Sequence, residues 1–207
     1  MLGYYNPSVI LTYLSLVFAS FGISRAMEGG EKNLLFAIFF LMLSGVCDMF
    51  DGAVARRCKR NEEEKLFGIQ IDSLCDLVAF GCLPACITLK IAEHSAFSRV
   101  GACLILLSSV IRLGFFNVQE TMRDREEALV HYTGMPVTTV ALLYPCALLV
   151  GSALKFPLEF FAPGCLCLFS ALEVCRLKLK KPYGIAKWIM LFAGVLIFVG
   201  ILLKRVF

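Results

Sequence analysis

Two pairs of aspartates lie inside long apolar runs, where ionisable side chains are costly and therefore indicate function. Asp48 and Asp51 are spaced i, i+3, and Asp72 and Asp76 are spaced i, i+4. Each spacing places both members of a pair on one face of a helix. The two pairs flank the same polar connection, so the sequence predicts that the four carboxylates converge at one end of a helical hairpin.

This convergence predicts a metal site for phosphoryl chemistry. Carboxylates that converge in a low dielectric repel one another and need cations beside them. Oxygen ligands favour Mg²⁺ or Mn²⁺, and Ca²⁺ is also compatible with them. Two such cations can hold the attacking and leaving oxygens of a displacement at phosphorus.

The elements that carry the aspartates are predicted to be membrane helices. The chain has 207 residues, of which 59% are hydrophobic, and its mean hydropathy is +0.80. Soluble proteins are only about 45–50% apolar, so the bilayer is the expected solvent. Seven runs approach the roughly 20 residues that a membrane helix needs. They cover residues 8–26, 33–55, 69–89, 96–117, 136–154, 158–175 and 185–203.

We therefore expect an all-α, polytopic membrane bundle with a six-helix core and one extra C-terminal helix. The sixth run contains Pro163 and Gly164, which disfavour a regular helix. No linker or repeat divides the chain, so residues 1–207 are predicted to form a single domain. The net charge of +4 is mild and does not indicate nucleic-acid binding. The ten cysteines do not form the pattern of a disulfide framework or a metal–thiolate site.

The distribution of basic residues predicts the orientation. With a cytoplasmic N-terminus, thirteen of the 20 lysines and arginines fall on the cytoplasmic side. The positive-inside rule favours that arrangement. Residues 1–7 lack the basic region of a cleavable signal, so the first apolar run is predicted to stay in the protein. The aspartates would then face the cytoplasm at the cell membrane.

The residues around the aspartates resemble the signature of the CDP-alcohol phosphotransferase family. The matching pattern is Asp48-x-x-Asp51-Gly52-x-x-Ala55-Arg56, followed by Gly68-x-x-x-Asp72-x-x-x-Asp76. One departure is the spacing between its halves, where eleven polar-rich residues, 57–67, make a longer insert than the familiar form has. We expect this insert to bulge into the cytoplasm, which affects the placement of Arg56 more than that of the aspartates.

The resemblance implies a role for each matching residue. Asp48, Asp51, Asp72 and Asp76 would bind two divalent cations, and Asp76 would also act as the general base. The nucleotide would be bordered by small and polar residues, namely Gly52, Ala55, Arg56, Gly68 and Thr12. Taken alone, Gly52 has an equally good interpretation as a helix–helix contact. A homodimer is a further expectation from the family.

Segments beyond the signature resemble the members of the family that use L-serine. These segments are 72–85, 112–118 and 132–139, together with Asn6-Pro7 and Thr12 near the N-terminus. The resemblance implies transfer of the phosphatidyl group of CDP-diacylglycerol to L-serine, giving phosphatidylserine and CMP. Arg112 and Asn117 are the candidate serine-binding residues, because an arginine fork matches a carboxylate. Membrane lipids are the other expected partners.

Three alternatives remain open at this stage. A sister enzyme could use glycerol 3-phosphate or an inositol phosphate as acceptor, with Arg112 and the basic loop 176–181 binding the extra phosphate. A transporter would instead place its carboxylates near the bilayer midplane on broken helices, whereas these lie near one face. Arg112 could also be only a charge that marks a helix end. His94 and His131 are interpreted as surface residues.

Overall fold

The computed structural model describes residues 3–4, 6–93, 95–122, 131–176, 178–180 and 185–204. Seven helical segments make up almost all of this part of the chain. They are α1 (Pro7–Glu28), α2 (Glu31–Ala55), α3 (Glu62–Ile91), α4 (Ala96–Met122), α5 (Val137–Ala153), α6 (Leu158–Val174) and α7 (Ile185–Lys204).

Each predicted run coincides with one of these helices, so the all-α bundle is confirmed. Helices α1 to α4 are each long and apolar enough to cross a membrane. The protein is accordingly a multi-pass membrane protein. The described residues also contain one short antiparallel ladder, which the sequence did not predict. It is formed by β1 (His131–Thr133) and β2 (Lys178–Lys180).

The polar insert is partly helical rather than wholly a bulge. Helix α3 begins at Glu62, seven residues before the predicted apolar run. Asn61 caps it: the Asn61 side chain accepts from the Glu64 amide at 2.7 Å, and the Glu64 side chain accepts from the Asn61 amide at 2.8 Å. This reciprocal capping box satisfies two backbone donors that a helix start leaves unpaired. Only residues 56–61 therefore form the connection between α2 and α3.

Helix α6 continues through Pro163, although proline disfavours a helix interior. The ring falls in the second turn of the helix, where it removes one backbone hydrogen bond. Gly101 of α4 lies against it, and a Cβ built on Gly101 would be 3.1 Å from the Pro163 carbonyl oxygen. The missing side chain at Gly101 lets the two helices approach closely, as small residues do in membrane bundles.

The helices that carry the aspartates are fixed to their neighbours by small and polar contacts. Ser15 of α1 and Ser44 of α2 each donate a hydroxyl hydrogen bond to the other's backbone carbonyl, at 3.4 and 3.0 Å. Deeper in the bundle, the hydroxyls of Thr88 and Tyr144 are 2.6 Å apart and link α3 to α5. Helix α3 contacts α1, α4 and α5, and its two aspartates, Asp72 and Asp76, lie near its middle.

The ladder brings residues 178–180 of the basic loop against residues 131–133. Arg176, just before β2, is exposed. The described residues do not include Leu177, Lys181, His94, Arg123 and Arg125, and the side chain of His131 is not described either. The predictions made for these positions therefore stay predictions.

Candidate active site

The carboxylates of Asp48, Asp72 and Asp76 converge between the C-terminal part of α2 and the middle of α3. One oxygen from each lies within 4.8 Å of the others. Asp76 is only 7% exposed, and the other two are partly buried. The spacing within each pair puts its two aspartates on one helix face, and the structure brings the aspartate faces of α2 and α3 opposite each other.

Asp51 completes the group, which we call the hairpin cluster (Asp48, Asp51, Asp72 and Asp76). Its carboxyl lies within hydrogen-bonding distance of that of Asp72. The Thr12 hydroxyl of α1 donates to Asp51 Oδ2 at 3.5 Å. Thr12 itself is buried, at 5% exposure. The predicted nucleotide residue Thr12 therefore borders the cluster from a third helix.

The composition of the hairpin cluster fits a divalent cation site. Its donors are all carboxylate oxygens, which are the ligands that Mg²⁺ and Mn²⁺ prefer. Two of the carboxyls are in direct contact, an arrangement that requires either a shared proton or a cation. The one cation within electrostatic range of Asp76 among the described residues is Arg112.

A π-helical turn follows the cluster directly. Residues Leu77–Cys82 have π geometry, and Asp76 is the last α-helical residue before them. A π turn inserts an extra residue into the helix and rotates the face beyond it. Such turns are frequent at functional sites. This rotation lets α3 present Asp72 and Asp76 to α2 while presenting Gly81 to α4.

The small residues of the signature leave open space beside the cluster. A Cβ built on Gly52 would meet only the Arg56 guanidinium, at 3.4 Å, and one built on Gly68 would meet only that of Arg60, at 3.7 Å. Gly52 is therefore not a tight helix–helix contact. Ala55 occupies the last turn of α2, closer than Gly52 to the α2–α3 loop, and is partly buried.

Arg60 was missed as a site residue by the sequence analysis. Arg60 lies in a basic loop and is not part of the signature, so the sequence indicated only a loop charge at this position. The capping box at Asn61 ends the loop and turns the preceding residue toward Gly68. Two arginines, Arg56 and Arg60, thus lie over the two glycines of the signature.

The N-terminal segment holds the loop that carries these arginines. Asn6 donates its side-chain amide to the Lys59 carbonyl at 3.1 Å. The Tyr4 hydroxyl donates to Glu63 at 2.6 Å, and its ring lies 5.5 Å from that of Phe67. The hydrogen bond to Glu63 raises the pKa of the Tyr4 phenol, because it stabilises the protonated form. The N-terminal segment is therefore bonded to the α2–α3 loop and to the start of α3.

Arg112 lies inside α4 and not at its end, because the helix continues to Met122. The interpretation of Arg112 as a charge that marks a helix end is therefore wrong. The side chain is half-buried and within electrostatic range of both Asp76 and Glu173. Helices α3 and α4 run antiparallel, with Ser73 beside Asn117 and Gly81 beside Ser109. Arg112 consequently lies within one helical turn of the depth of Asp76.

Asn117 contacts α3 rather than open space. Its amide oxygen accepts from the Ser73 hydroxyl at 2.7 Å, and its amide nitrogen donates to Gln70 Oε1 at 3.3 Å. Ser73 is adjacent to Asp72 in the chain. The structure therefore places Asn117 next to the site, with its side chain already engaged in fixing α3 against α4.

Glu173 is a second residue that the sequence analysis missed. It is 2% exposed, near the end of α6. Its Oε2 accepts hydrogen bonds from Ser108 at 2.7 Å and Ser109 at 3.1 Å. An acidic residue inside the apolar run 158–175 was the available signal. We call Ser108, Ser109, Arg112 and Glu173 the α4–α6 cluster.

A tight turn before α5 fixes the backbone at Glu173. Gly134 has φ +79°, and a Cβ at that position would lie 2.5 Å from the Glu173 carbonyl oxygen. Met135 donates its amide to the Leu172 carbonyl at 3.0 Å. The left-handed conformation and the close approach both require glycine. The motif at residues 132–139 therefore serves to anchor the end of α6.

Comparison with known proteins decides the family. The model of the CDP-alcohol phosphatidyltransferase family matches residues 5–199. The chain belongs to this family. The resemblance inferred from the signature is thereby confirmed, and the match extends through all seven helices.

Several curated members of the family are similar to this chain. A Helicobacter pylori (strain J99) protein named CDP-diacylglycerol–serine O-phosphatidyltransferase is 28% identical over 208 residues, covering 97% of this chain and 84% of that protein. A Saccharomyces cerevisiae protein of the same name is 34% identical over 132 residues, covering 61% and 47%. An archaetidylserine synthase of Methanothermobacter thermautotrophicus is 29% identical over 139 residues, covering 67% and 57%. No solved structure matches the chain.

Proposed function

We propose that this protein is a CDP-diacylglycerol–serine O-phosphatidyltransferase, which forms phosphatidylserine and CMP from CDP-diacylglycerol and L-serine. The observation that carries the proposal is the convergence of four aspartates from the family signature between α2 and α3. The names of the similar proteins from Helicobacter pylori and Saccharomyces cerevisiae support serine as the acceptor.

The hairpin cluster would hold two divalent cations, Mg²⁺ or Mn²⁺, with Ca²⁺ able to occupy the same oxygens. Bound there, they would neutralise the carboxylates and the charge on the diphosphate. The protein's own contribution is a rigid arrangement. The α1–α2 serine contacts and the Asn117 contacts fix the two aspartate-bearing helices before any substrate arrives. Such preorganisation lowers the cost of reaching the transition state.

Asp76 is proposed as the general base. The serine hydroxyl oxygen forms a bond to the phosphorus that carries diacylglycerol, and the bond from that phosphorus to the CMP oxygen breaks. The hydroxyl proton passes to the Asp76 carboxylate, and CMP leaves with the electron pair of the broken bond. Asp76 is suited to this step because it is the most buried member of the cluster and lies on the side of Arg112.

The nucleotide is proposed to lie over Gly52 and Gly68. The space beside these glycines is bounded by Arg56 and Arg60, whose guanidinium groups can bind phosphate or ribose oxygens. Ala55 and Thr12 would border the same space, with Thr12 reaching Asp51. Arg60 thereby joins the residues that the signature supplies.

Arg112 is proposed to bind the serine carboxylate, since it is a half-buried cation beside the proposed base. Asn117 would act at the rim of the serine site, because both ends of its amide already bond to α3. The chain is further proposed to be a single domain that works as a homodimer, with the hairpin cluster facing the cytoplasm, where serine is available.

A purified-enzyme assay tests the proposal. CDP-diacylglycerol would be offered with L-serine, glycerol 3-phosphate or an inositol phosphate, and the lipid product identified by mass. We expect phosphatidylserine and equimolar CMP from serine alone, in a reaction that stops when Mg²⁺ and Mn²⁺ are chelated. A product formed from glycerol 3-phosphate or inositol phosphate, and none from serine, would transfer the assignment to a sister activity of the family.

A further inference from the structure

Glu173 carries a polar atom that the described protein does not satisfy. Two serine hydroxyls bond its Oε2, whereas its Oε1 is buried and has no hydrogen-bond partner among the described residues. Leaving such an atom without a hydrogen bond is unfavourable, and buried polar atoms of this kind are uncommon. A buried half-satisfied carboxylate is what a binding site for a cationic group contains before its ligand arrives.

The surroundings of Glu173 determine which cationic group would fit. Arg112 lies within electrostatic range of Glu173 and also of the proposed base Asp76. An anionic and a cationic side chain thus lie within electrostatic range of each other, and the cationic one is also within range of the proposed base. An α-amino acid presents the complementary pair, a carboxylate and an ammonium separated by a single carbon atom.

The orientation of Glu173 is fixed from two sides. Ser108 and Ser109 come one turn before Arg112 on α4, so their hydroxyls and the guanidinium lie on one side of that helix. The turn at Gly134 and Met135 fixes the backbone of α6 behind Glu173. A carboxylate held in this way loses little conformational freedom on binding, which favours affinity.

From this arrangement we infer that Glu173 is the specificity residue for the ammonium group of the acceptor amino acid, with its free oxygen as the acceptor of the ammonium hydrogen bond. Arg112 then binds the carboxylate of the same molecule. The inference rests on the proposed use of L-serine, and it adds a reason why acceptors without an amine are excluded.

The test compares acceptors as well as variants. Wild-type enzyme would be assayed with L-serine and with 3-hydroxypropionate, which lacks only the ammonium group. We expect the wild type to favour serine by about 10- to 100-fold in kcat/KM, the usual effect of one charge-assisted hydrogen bond. A wild type that makes phosphatidylserine but uses 3-hydroxypropionate equally well overturns the inference while leaving the proposed function intact.

Glu173→Gln supplies the second measurement, and Glu159→Gln, an exposed position on the same helix, is its control. We expect Glu173→Gln to raise KM for serine about 10- to 100-fold and to leave 3-hydroxypropionate turnover and CMP binding within a few-fold. An unchanged serine KM, or an equal loss with both acceptors, contradicts the inference. If the variant misfolds and loses CMP binding, the inference is decided by the ratio of wild-type kcat/KM for serine to that for 3-hydroxypropionate. No phosphatidylserine from the wild type would instead defeat the proposed function.

Discussion

The hairpin cluster and the α4–α6 cluster both bury acidic side chains in a membrane bundle, yet they are built differently. The hairpin cluster comes from two consecutive helices, and every one of its members is an aspartate. The α4–α6 cluster joins residues more than 60 positions apart, such as Ser108 and Glu173, and it mixes hydroxyl, cationic and anionic groups. The first is suited to bind ions, and the second is suited to recognise one molecule.

Arg112 links the two clusters, because it is within electrostatic range of a carboxylate in each. We therefore expect the two clusters to have different roles in the proposed site, one in catalysis and one in acceptor recognition. Losses in the hairpin cluster should stop the reaction with every acceptor. Losses in the α4–α6 cluster should change which acceptor is used and at what concentration.

The largest effect is expected in the hairpin cluster. Asp76→Asn should lower kcat at least about 100-fold, because a general base contributes roughly that much or more. Replacing Asp48, Asp51 or Asp72 by Asn should lower turnover by a comparable factor, because it weakens cation binding. The cation affinity is measured from the dependence of the rate on Mg²⁺ or Mn²⁺ concentration. Glu31→Gln, exposed at the far end of α2, is the control and should keep full activity. If one of the four aspartate variants keeps substantial turnover at saturating metal, the replaced aspartate is not part of the proposed site.

The next effect concerns Arg112. Arg112→Ala should raise KM for serine about 10- to 100-fold by removing a charge-assisted hydrogen bond. KM for CDP-diacylglycerol should stay within a few-fold. Asn117→Ala should raise the serine KM less, because its amide is already bonded to Ser73 and Gln70. An equal rise for both substrates in Arg112→Ala would place Arg112 at the nucleotide or phosphate instead.

Two glycines of α2 distinguish substrate space from helix packing. Gly52→Ala meets only the flexible Arg56 side chain, so the variant should keep its Tm but raise KM for CDP-diacylglycerol about tenfold. A Cβ on Gly45 would lie 2.6 Å from the Ala141 Cβ of α5. Gly45→Ala should therefore lose about 1–3 kcal/mol of stability by overpacking and keep its substrate KM when folded. A Gly52→Ala variant with unchanged kinetics would show that nothing binds there.

The last prediction concerns the side of the membrane on which the α2–α3 loop lies. Cys58 lies in the α2–α3 loop, so in a variant whose other nine cysteines are replaced it reports the side of the membrane on which this loop lies. In sealed vesicles, an impermeant thiol reagent should label it only from the cytoplasmic face. Labelling from the opposite face would place the hairpin cluster on the outer side, away from the serine supply.

Much of the fold could be predicted from the sequence because it depends on local properties. Apolar runs located the helices, and the 3.6-residue period placed Asp48 with Asp51 and Asp72 with Asp76. The start of α3 was misplaced because a capping box can extend a helix through a charged segment. Helix α6 was predicted from its apolar run, whereas its close approach to Gly101 of α4 depends on which faces of the two helices meet.

The sequence by itself determined the membrane bundle, the four aspartates and the family, since spacing along one helix or one hairpin encodes all of these. Tertiary structure alone decided that Glu173 meets Ser108, Ser109 and Arg112, and that Arg60 turns over Gly68. The physical reason is that helical periodicity sets which residues share a face. Which faces meet depends on side-chain packing between helices that are distant in the chain, and on local events such as the π turn after Asp76.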